Sequence, residues 1–272
     1  MATNIWQGTT NGTWSTTTNW SLGSIPANGD TVYLAGNVAI TGGLSTGLTG
    51  INLIVDPGYT GTIASSAAYL SLACASFNFA GTGNAFIDLG SSAITASVTQ
   101  TGTGTATSAA LYLKGSALSV LAVSGTCSVA LAGLDGETST VTTARVAGAQ
   151  AKLLLGAGVT LTTAQVSAGA LTVNCAATTL NIYSGACTTN GTGAITTVSI
   201  FQGTAQLNST GTITTLNANA GTVDFTKFPV ARTVSAIKLG TGGVNLSYDP
   251  AILTVTAWTA PASPIRLTAT AA

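Results

Sequence analysis

A Thr-Thr pair recurs through the second half of the chain at nearly constant spacing. The pairs are Thr142-Thr143, Thr162-Thr163, Thr178-Thr179, Thr196-Thr197 and Thr214-Thr215, so the sequence number increases by 20, 16, 18 and 18 from each pair to the next. A further step of the same size leads to Thr233, where Arg232 stands in place of the first Thr. Periods of this length are typical of a solenoid, in which one short unit of secondary structure stacks on the next.

Two apolar positions follow each Thr-Thr pair. They lie one and three residues after the second Thr and are occupied by Ala144, Ala164, Leu180, Val198, Leu216 and Val234, and by Val146, Val166, Ile182, Ile200, Ala218 and Ala236. A spacing of two residues places both side chains on one face of a β-strand. A meander of hairpins would explain this alternation, but not the return of the same residue type in every repeat. A parallel coil explains both, because equivalent residues then lie ~4.8 Å apart in adjacent rungs.

A glycine ends this strand in four repeats and predicts a corner of the coil. The glycines are Gly169, Gly185, Gly203 and Gly221, and a corner favours glycine where φ is positive or where close packing excludes a Cβ. Apolar alternation resumes two residues later, as in Leu171 and Val173. Cys187 occupies the equivalent inward position of its own repeat, and we place Cys127 in the same column after a one-residue deletion.

The repeats together predict an all-β fold. We expect a single-stack parallel β-helix, or β-solenoid, with rungs of ~18–20 residues over residues 35–255, which makes roughly eleven rungs. No apolar set recurs at the three- and four-residue spacing of an amphipathic helix, so a helical fold is disfavoured.

The two ends depart from the repeat. Residues 1–34 hold three of the four tryptophans, Trp6, Trp14 and Trp20. Because a solenoid must cover its terminal rungs, we expect a Trp-rich N-terminal cap or attachment segment here. Residues 256–272 break the pattern and are predicted to form a C-terminal cap or tail.

Charge is scarce in this chain. Seven Lys/Arg balance seven Asp/Glu, there is no His, and the charged fraction is 5%, against roughly 25% in an average soluble domain. Seven scattered cations form no basic patch, so we expect no nucleic-acid binding. The absence of His removes His-based acid–base catalysis and His metal ligation, and we expect no catalytic residue, cofactor or metal. Since so uncharged a surface is poorly soluble, we expect other subunits to cover much of it.

The cysteines and the hydropathy pattern indicate folding in a reducing cytosol. Cys74, Cys127, Cys175 and Cys187 form no C-x-x-C pair and are expected to be free, buried thiols; a Cys175–Cys187 disulfide is the alternative. The longest apolar stretches, such as residues 51–55, fall far short of the ~20 residues of a membrane span. The N-terminus lacks the basic and apolar stretches of a signal peptide, so we expect no membrane partner.

Aromatic side chains are the candidate contact residues. Tyr183 and Phe201 each follow an inward isoleucine and are one repeat apart, so both rings are expected to point outward and to stack in adjacent rungs. Such a pair suits a subunit or lattice contact, a rung-stabilising ladder or a glycan site. Trp6, Trp14 and Trp20 are candidates for packing within the cap, or for contact with a partner or a glycan.

Paired carboxylates are the catalytic groups to look for, because enzymes that hydrolyse glycosidic bonds use a pair of Asp or Glu residues. Only Asp135 and Glu137 lie close in sequence, between Gly133 and Thr138. This setting is typical of a solvated corner loop, and a Ca²⁺ site would need more oxygen ligands than the sequence supplies.

Several of these segments resemble known β-solenoid proteins. The run Gly12-Thr13-Trp14, Asn19-Trp20-Ser21 and Gly29-Asp30-Thr31-Val32 resembles the opening of many bacterial and phage β-solenoids. The rungs Gly193-Ala194-Ile195-Thr196-Thr197 and Gly211-Thr212-Ile213-Thr214-Thr215-Leu216 are similar to those of phage virion proteins of the right-handed parallel β-helix type. The resemblance implies a structural or adhesive protein on a particle surface and carries no catalytic motif.

The function expected from this resemblance is that of a non-enzymatic phage virion protein. It would be a capsid decoration, cement or head-fibre subunit, assembled in the host cytoplasm and carried on the virion. The expected partners are sister subunits in a homotrimer and the major capsid protein or other virion proteins, with a host-surface glycan as a further candidate. The alternatives are a receptor-binding tail fibre or spike subunit and a bacterial β-helical surface adhesin.

Overall fold

The computed structural model describes residues 1–91, 94–99, 109–134, 136–261 and 267–269. These ranges hold twenty-two strands and one short 3-10 helix, Thr17–Asn19. No helix in them is long and apolar enough to cross a membrane. The strands are β1 (Thr3–Trp6), β2 (Thr31–Leu34), β3 (Ser45–Val55), β4 (Leu70–Phe79), β5 (Ala85–Asp88), β6 (Ile94–Val98), β7 (Leu111–Val123), β8 (Ser128–Leu131), β9 (Ser139–Val146), β10 (Lys152–Leu155), β11 (Val159–Val166), β12 (Ala170–Val173), β13 (Ala177–Ile182), β14 (Ala186–Thr189), β15 (Ile195–Ile200), β16 (Thr204–Leu207), β17 (Ile213–Ala218), β18 (Gly221–Asp224), β19 (Arg232–Leu239), β20 (Val244–Tyr248), β21 (Leu253–Thr259) and β22 (Leu267–Ala269).

These strands form two parallel columns. The first column runs β1, β2, β3, β4, β6, β7 and then the odd-numbered strands from β9 to β21, and the second runs β4, β5, β7, β8 and then the even-numbered strands from β10 to β22. Every strand pairs in parallel with its neighbour in the column. A chain that alternates between two columns without reversing direction is a coil, so the predicted all-β parallel solenoid is confirmed.

The Thr-Thr repeat sets the register of the coils. Thr143, Thr163, Thr179, Thr197 and Thr215 are successive strand partners. The apolar column that starts three residues later is almost solvent-free, with Val146, Val166, Ile182, Ile200 and Ala218 at 1% exposure or less. The Thr side chains lie on the outside, where a β-branched residue suits a pleated surface.

The predicted glycine corner is confirmed as well. Gly169, Gly185, Gly203 and Gly221 all have positive φ, between 75° and 87°. A Cβ on Gly203 would lie 2.4 Å from the carbonyl oxygen of Gly185, and a Cβ on Gly221 would lie 2.6 Å from that of Gly203. Both the backbone conformation and the stacking of one corner on the next therefore require glycine.

The last repeat is shifted from its predicted position. Thr215 pairs with Ala236, not with Thr233, so Ile237 and Leu239 are buried in the inward column and Ala236 is not. The cause is a longer connection after β18. This connection is fastened by Arg232, which is 4% exposed and donates to the carbonyls of Leu207, Phe228 and Val230.

The predicted placement of Cys127 was wrong by two positions. Val129, not Cys127, pairs with Leu153 and continues the column that contains Leu171 and Cys187. Cys127 instead lies at the corner before β8, where its Sγ–H donates to the carbonyl of Ser124 at 3.1 Å. Its side chain is nevertheless buried.

Coils in the first half of the chain are mostly longer than those in the second. The coil from Ala96 to its strand partner Leu121 contains about one and a half times as many residues as the coil from Ala164 to its partner Leu180. Within the described residues, ten strands of the first column lie entirely between residues 35 and 255, against the roughly eleven rungs predicted there, and the next strand, β21, begins at Leu253. The first half also bends its long strands β3, β4 and β7 at register shifts or corners, so they run along two sides of the coil.

All four cysteines are free and buried, and this predicts slow thiol chemistry. Burial raises the pKa of Cys74 and Cys187 from 9.0 to about 12 and that of Cys127 and Cys175 to about 11. Because the thiolate is the reactive form, native protein is expected to react slowly with a disulfide reagent even at pH 9. All four thiols should become reactive in denaturant. Fast labelling of the native chain, or a fully occupied Cys175–Cys187 bridge in non-reducing mass spectrometry, would contradict this expectation.

Candidate functional site

Tyr183 and Phe201 form an exposed stacked pair. Each follows the last residue of a first-column strand, β13 or β15, and its amide donates to the carbonyl of the coil before: Tyr183 to Val166 and Phe201 to Ile182, both at 2.8 Å. The ring centroids are 5.0 Å apart with 13° between the planes. The two side chains are 42% and 41% exposed, so the predicted outward stacking is confirmed.

The surface around this pair carries no charge over several coils. The amide hydrogen bonds place Ser167 and Asn219 directly before and after the pair in the same corner column. The adjacent outward column of the strands holds Gln165, Asn181, Ser199 and Asn217, and Asn217 donates from Nδ2 to Ser199 Oγ at 3.2 Å. We call this surface, from β11 to β17 with Tyr183 and Phe201 at its edge, the uncharged wall.

Trp6, Trp14 and Trp20 pack against one another at the N-terminal end. Their ring centroids are 4.6 to 6.4 Å apart, and each side chain is 2% exposed or less. The indole of Trp6 donates to the carbonyl of Val38, and that of Trp20 donates to the carbonyl of Trp14. The three rings therefore hold the first coils together, and they leave almost no area for a partner or a glycan to touch.

The same segment covers the outer edge of β1. Trp20 forms an antiparallel bridge with Trp6. The amide of Ser21 donates to the carbonyl of Ile5 at 2.9 Å, and the amide of Gln7 donates to the carbonyl of Asn19 at 2.8 Å. The segment that carries the Trp cluster therefore also closes the first column of strands.

The carboxylate pair considered from the sequence is described only in part, since Asp135 lies outside the described residues. Glu137 lies in the loop between β8 and β9, and its Oε2 accepts a hydrogen bond from the amide of Leu134 at 3.0 Å. Across the described part of the chain, no group of three or more cysteines and acidic residues is placed to hold a metal ion.

An open groove brings Glu137 to residues that sequence reasoning did not single out. It consists of two adjoining hollows of about 660 and 530 Å³ that share Asp88, Lys114 and Glu137. Lys114 Nζ lies 3.9 Å from Asp88 Oδ2 and 4.4 Å from the centre of the Tyr69 ring. We call this feature the charged groove.

The register of the coil explains why these groups meet. Ser45, Ser71, Asp88 and Lys114 are successive partners along one outward column. The next coil follows β8 with the loop that carries Glu137. The steps in sequence number between these partners are 26, 17 and 26, which is too irregular to be seen as a repeat, so no sequence signal pointed to this groove.

Comparisons with protein-family models, with curated protein sequences and with solved structures find no significant match to this chain.

Proposed function

We propose that this protein is a non-enzymatic structural subunit on the surface of a phage particle, a capsid decoration, cement or head-fibre protein. In this role it associates with sister copies as a homotrimer and with capsid protein through its side wall. The observation that carries the proposal is the exposed Tyr183–Phe201 stack at the edge of the uncharged wall.

The chemistry of this wall suits a protein interface. Aromatic residues are enriched and charged residues depleted in the centres of interfaces, where a few aromatic anchors supply most of the binding energy. Two stacked rings present a rigid apolar surface that loses little side-chain entropy on contact. Asn, Gln, Ser and Thr around them can form hydrogen bonds without the desolvation cost of burying a charge.

The proposal predicts self-association through the aromatic pair. We expect the purified chain of 26.6 kDa to sediment as a trimer. The trimer of the double variant Tyr183→Ser/Phe201→Ser should dissociate at a protein concentration at least about tenfold higher than that of the parent trimer, because two anchor residues are removed. Analytical ultracentrifugation over a concentration series measures this change.

Phe228→Ser is the matched control for that experiment. Phe228 is 48% exposed but lies in the connection after β18, away from the uncharged wall, so its loss should leave association unchanged. A monomeric parent chain, or equal loss of association in both variants, would overturn the role given to Tyr183 and Phe201.

Location is the second test of the proposed function. Antibody labelling of phage particles in electron micrographs should decorate heads at many symmetric sites. Label confined to tail tips would replace this proposal with a receptor-binding spike, and label confined to the bacterial envelope would replace it with an adhesin.

A further inference from the structure

Tyr69 is an unusual residue in the charged groove. Its side chain is 9% exposed, and among the described residues its hydroxyl oxygen is buried without a hydrogen-bond partner. A buried hydroxyl that forms no hydrogen bond destabilises the folded protein. Burial raises the pKa of Tyr69, and the nearby Glu137 carboxylate raises it further. The Tyr69 hydroxyl and the Glu137 carboxylate nevertheless do not form a hydrogen bond of normal geometry. The phenol therefore remains a hydrogen-bond donor at neutral pH.

The groups around Tyr69 are mixed in sign and only partly exposed. The side chains of Lys114 and Asp88 are 35% and 27% exposed, and Asp88 Oδ1 accepts the amide of Gly90 at 3.0 Å. Ser71, Ser91 and Thr138 add hydroxyl or backbone groups to the lining. The groove therefore offers carboxylate acceptors and an ammonium donor in one open depression, and the unpaired Tyr69 hydroxyl is buried directly behind its lining.

This combination disfavours an anion and a calcium ion and suits a neutral polyol. Two carboxylates against one ammonium disfavour an anion, and a calcium ion needs six to eight oxygen ligands, whereas no such acidic cluster is present in the described ranges. A sugar hydroxyl both donates and accepts, so it can satisfy carboxylate, ammonium and phenol together. The Tyr69 ring lines the groove and packs edge to face against Phe86, with the two centroids 5.5 Å apart.

We propose that the charged groove binds a short, neutral oligosaccharide through Tyr69, Asp88, Lys114 and Glu137. Three rung steps separate Ser45 from Lys114, which gives the groove a length of roughly 14 Å along the coil axis. Binding here is independent of the proposed virion role, because the groove and the uncharged wall lie on different coils.

The test is retention on an array of neutral and acidic oligosaccharides, followed by calorimetry with the best neutral one. We expect neutral oligosaccharides to be retained, and Lys114→Met and Glu137→Gln each to weaken binding by about tenfold or more, because each variant removes a charge-assisted hydrogen bond. Lys227→Met and Asp249→Asn are the matched controls outside the groove and should bind as the parent chain does.

The variant Tyr69→Phe tests whether the Tyr69 hydroxyl contacts the ligand or is only a buried group without a hydrogen bond. If the hydroxyl reaches the sugar, this variant weakens binding by about fivefold or more while it raises the thermal midpoint of the free protein, since the unpaired group is gone. An array without retained neutral oligosaccharides, or groove variants that bind like their controls, would overturn the proposal. Preferential retention of acidic oligosaccharides with dependence on Lys114 would overturn the assignment to a neutral ligand.

Discussion

Replacement of Ile200 by aspartate is expected to prevent folding or to lower the free energy of unfolding by about 4 kcal/mol or more. Ile200 is fully buried and pairs in register with Ile182 in the coil before and Ala218 in the coil after. A carboxylate at this position would face apolar side chains on both sides. Because each coil of a solenoid is stabilised by its neighbours, the damage should extend to both adjacent coils.

Two other variants in β15 serve as controls for this loss of stability. Thr196→Asp introduces the same side chain at an exposed position of β15 and should change stability by less than about 1 kcal/mol. Ile200→Val removes one methylene and should cost about 0.5–1.5 kcal/mol. Urea denaturation followed by circular dichroism measures all three. Equal destabilisation by Ile200→Asp and Thr196→Asp would show that the inward column is assigned incorrectly.

Gly203→Ala is the second substitution for which a large loss of stability is expected. The backbone at Gly203 has φ of 83°, and an added Cβ would lie 2.4 Å from the oxygen and 3.0 Å from the nitrogen of Gly185. Both atoms belong to the backbone of the preceding corner, so no side chain can move aside. We expect a loss of about 3 kcal/mol, the sum of conformational strain and of the shift forced on the stacked corner.

Gly243→Ala separates these two contributions. Gly243 has a similar φ of 76°, but no atom lies within 4 Å of the place that its Cβ would occupy. Its substitution should therefore cost about 1 kcal/mol, from backbone strain alone. Thermal unfolding of both variants measures the difference, and similar losses would show that the close contact between corners contributes little.

The regular part of the solenoid is predictable because the residue types, and not only the spacing, recur in every repeat. Thr-Thr pairs, inward aliphatic residues and corner glycines return once in every coil, and each of these columns is subject to a separate physical requirement. An outward β-branched residue, a buried aliphatic residue and a glycine with positive φ are not interchangeable, so the register from Thr143 to Thr215 can be read from the order of residue types. The stacking of Tyr183 on Phe201 follows from that register.

Insertions at corners are where prediction by repeat length fails. The connection after β18 carries three more residues than the repeat allows, so Ala236 rather than Thr233 continues the Thr column. The one-residue deletion predicted before Cys127 is also wrong, because Val129 and not Cys127 occupies the inward position, so this corner is longer and not shorter than the later one. The repeat period gives the usual number of residues per coil, but the number of residues in each corner depends on local contacts such as those of Arg232.

The charged groove could not be predicted for a related reason. Asp88, Lys114 and Glu137 lie in the irregular first half of the coil and in a corner loop, and no spacing rule connects them to Tyr69. Their proximity depends on strand partners in β4, β5 and β7, and the pairings of β4 with β3 and of β7 with β6 contain register shifts.

The antiparallel contact of Asn19–Ser21 with β1 limits how copies of this protein can join. An uncovered strand edge is a template for another chain, but the carbonyl of Ile5 and the amide of Gln7 are already paired with Ser21 and Asn19. A foreign strand can therefore add to the outer edge of β1 only after it displaces this segment. The association between copies proposed above is therefore expected to use the side of the coil, in a closed lateral assembly, and not this strand edge.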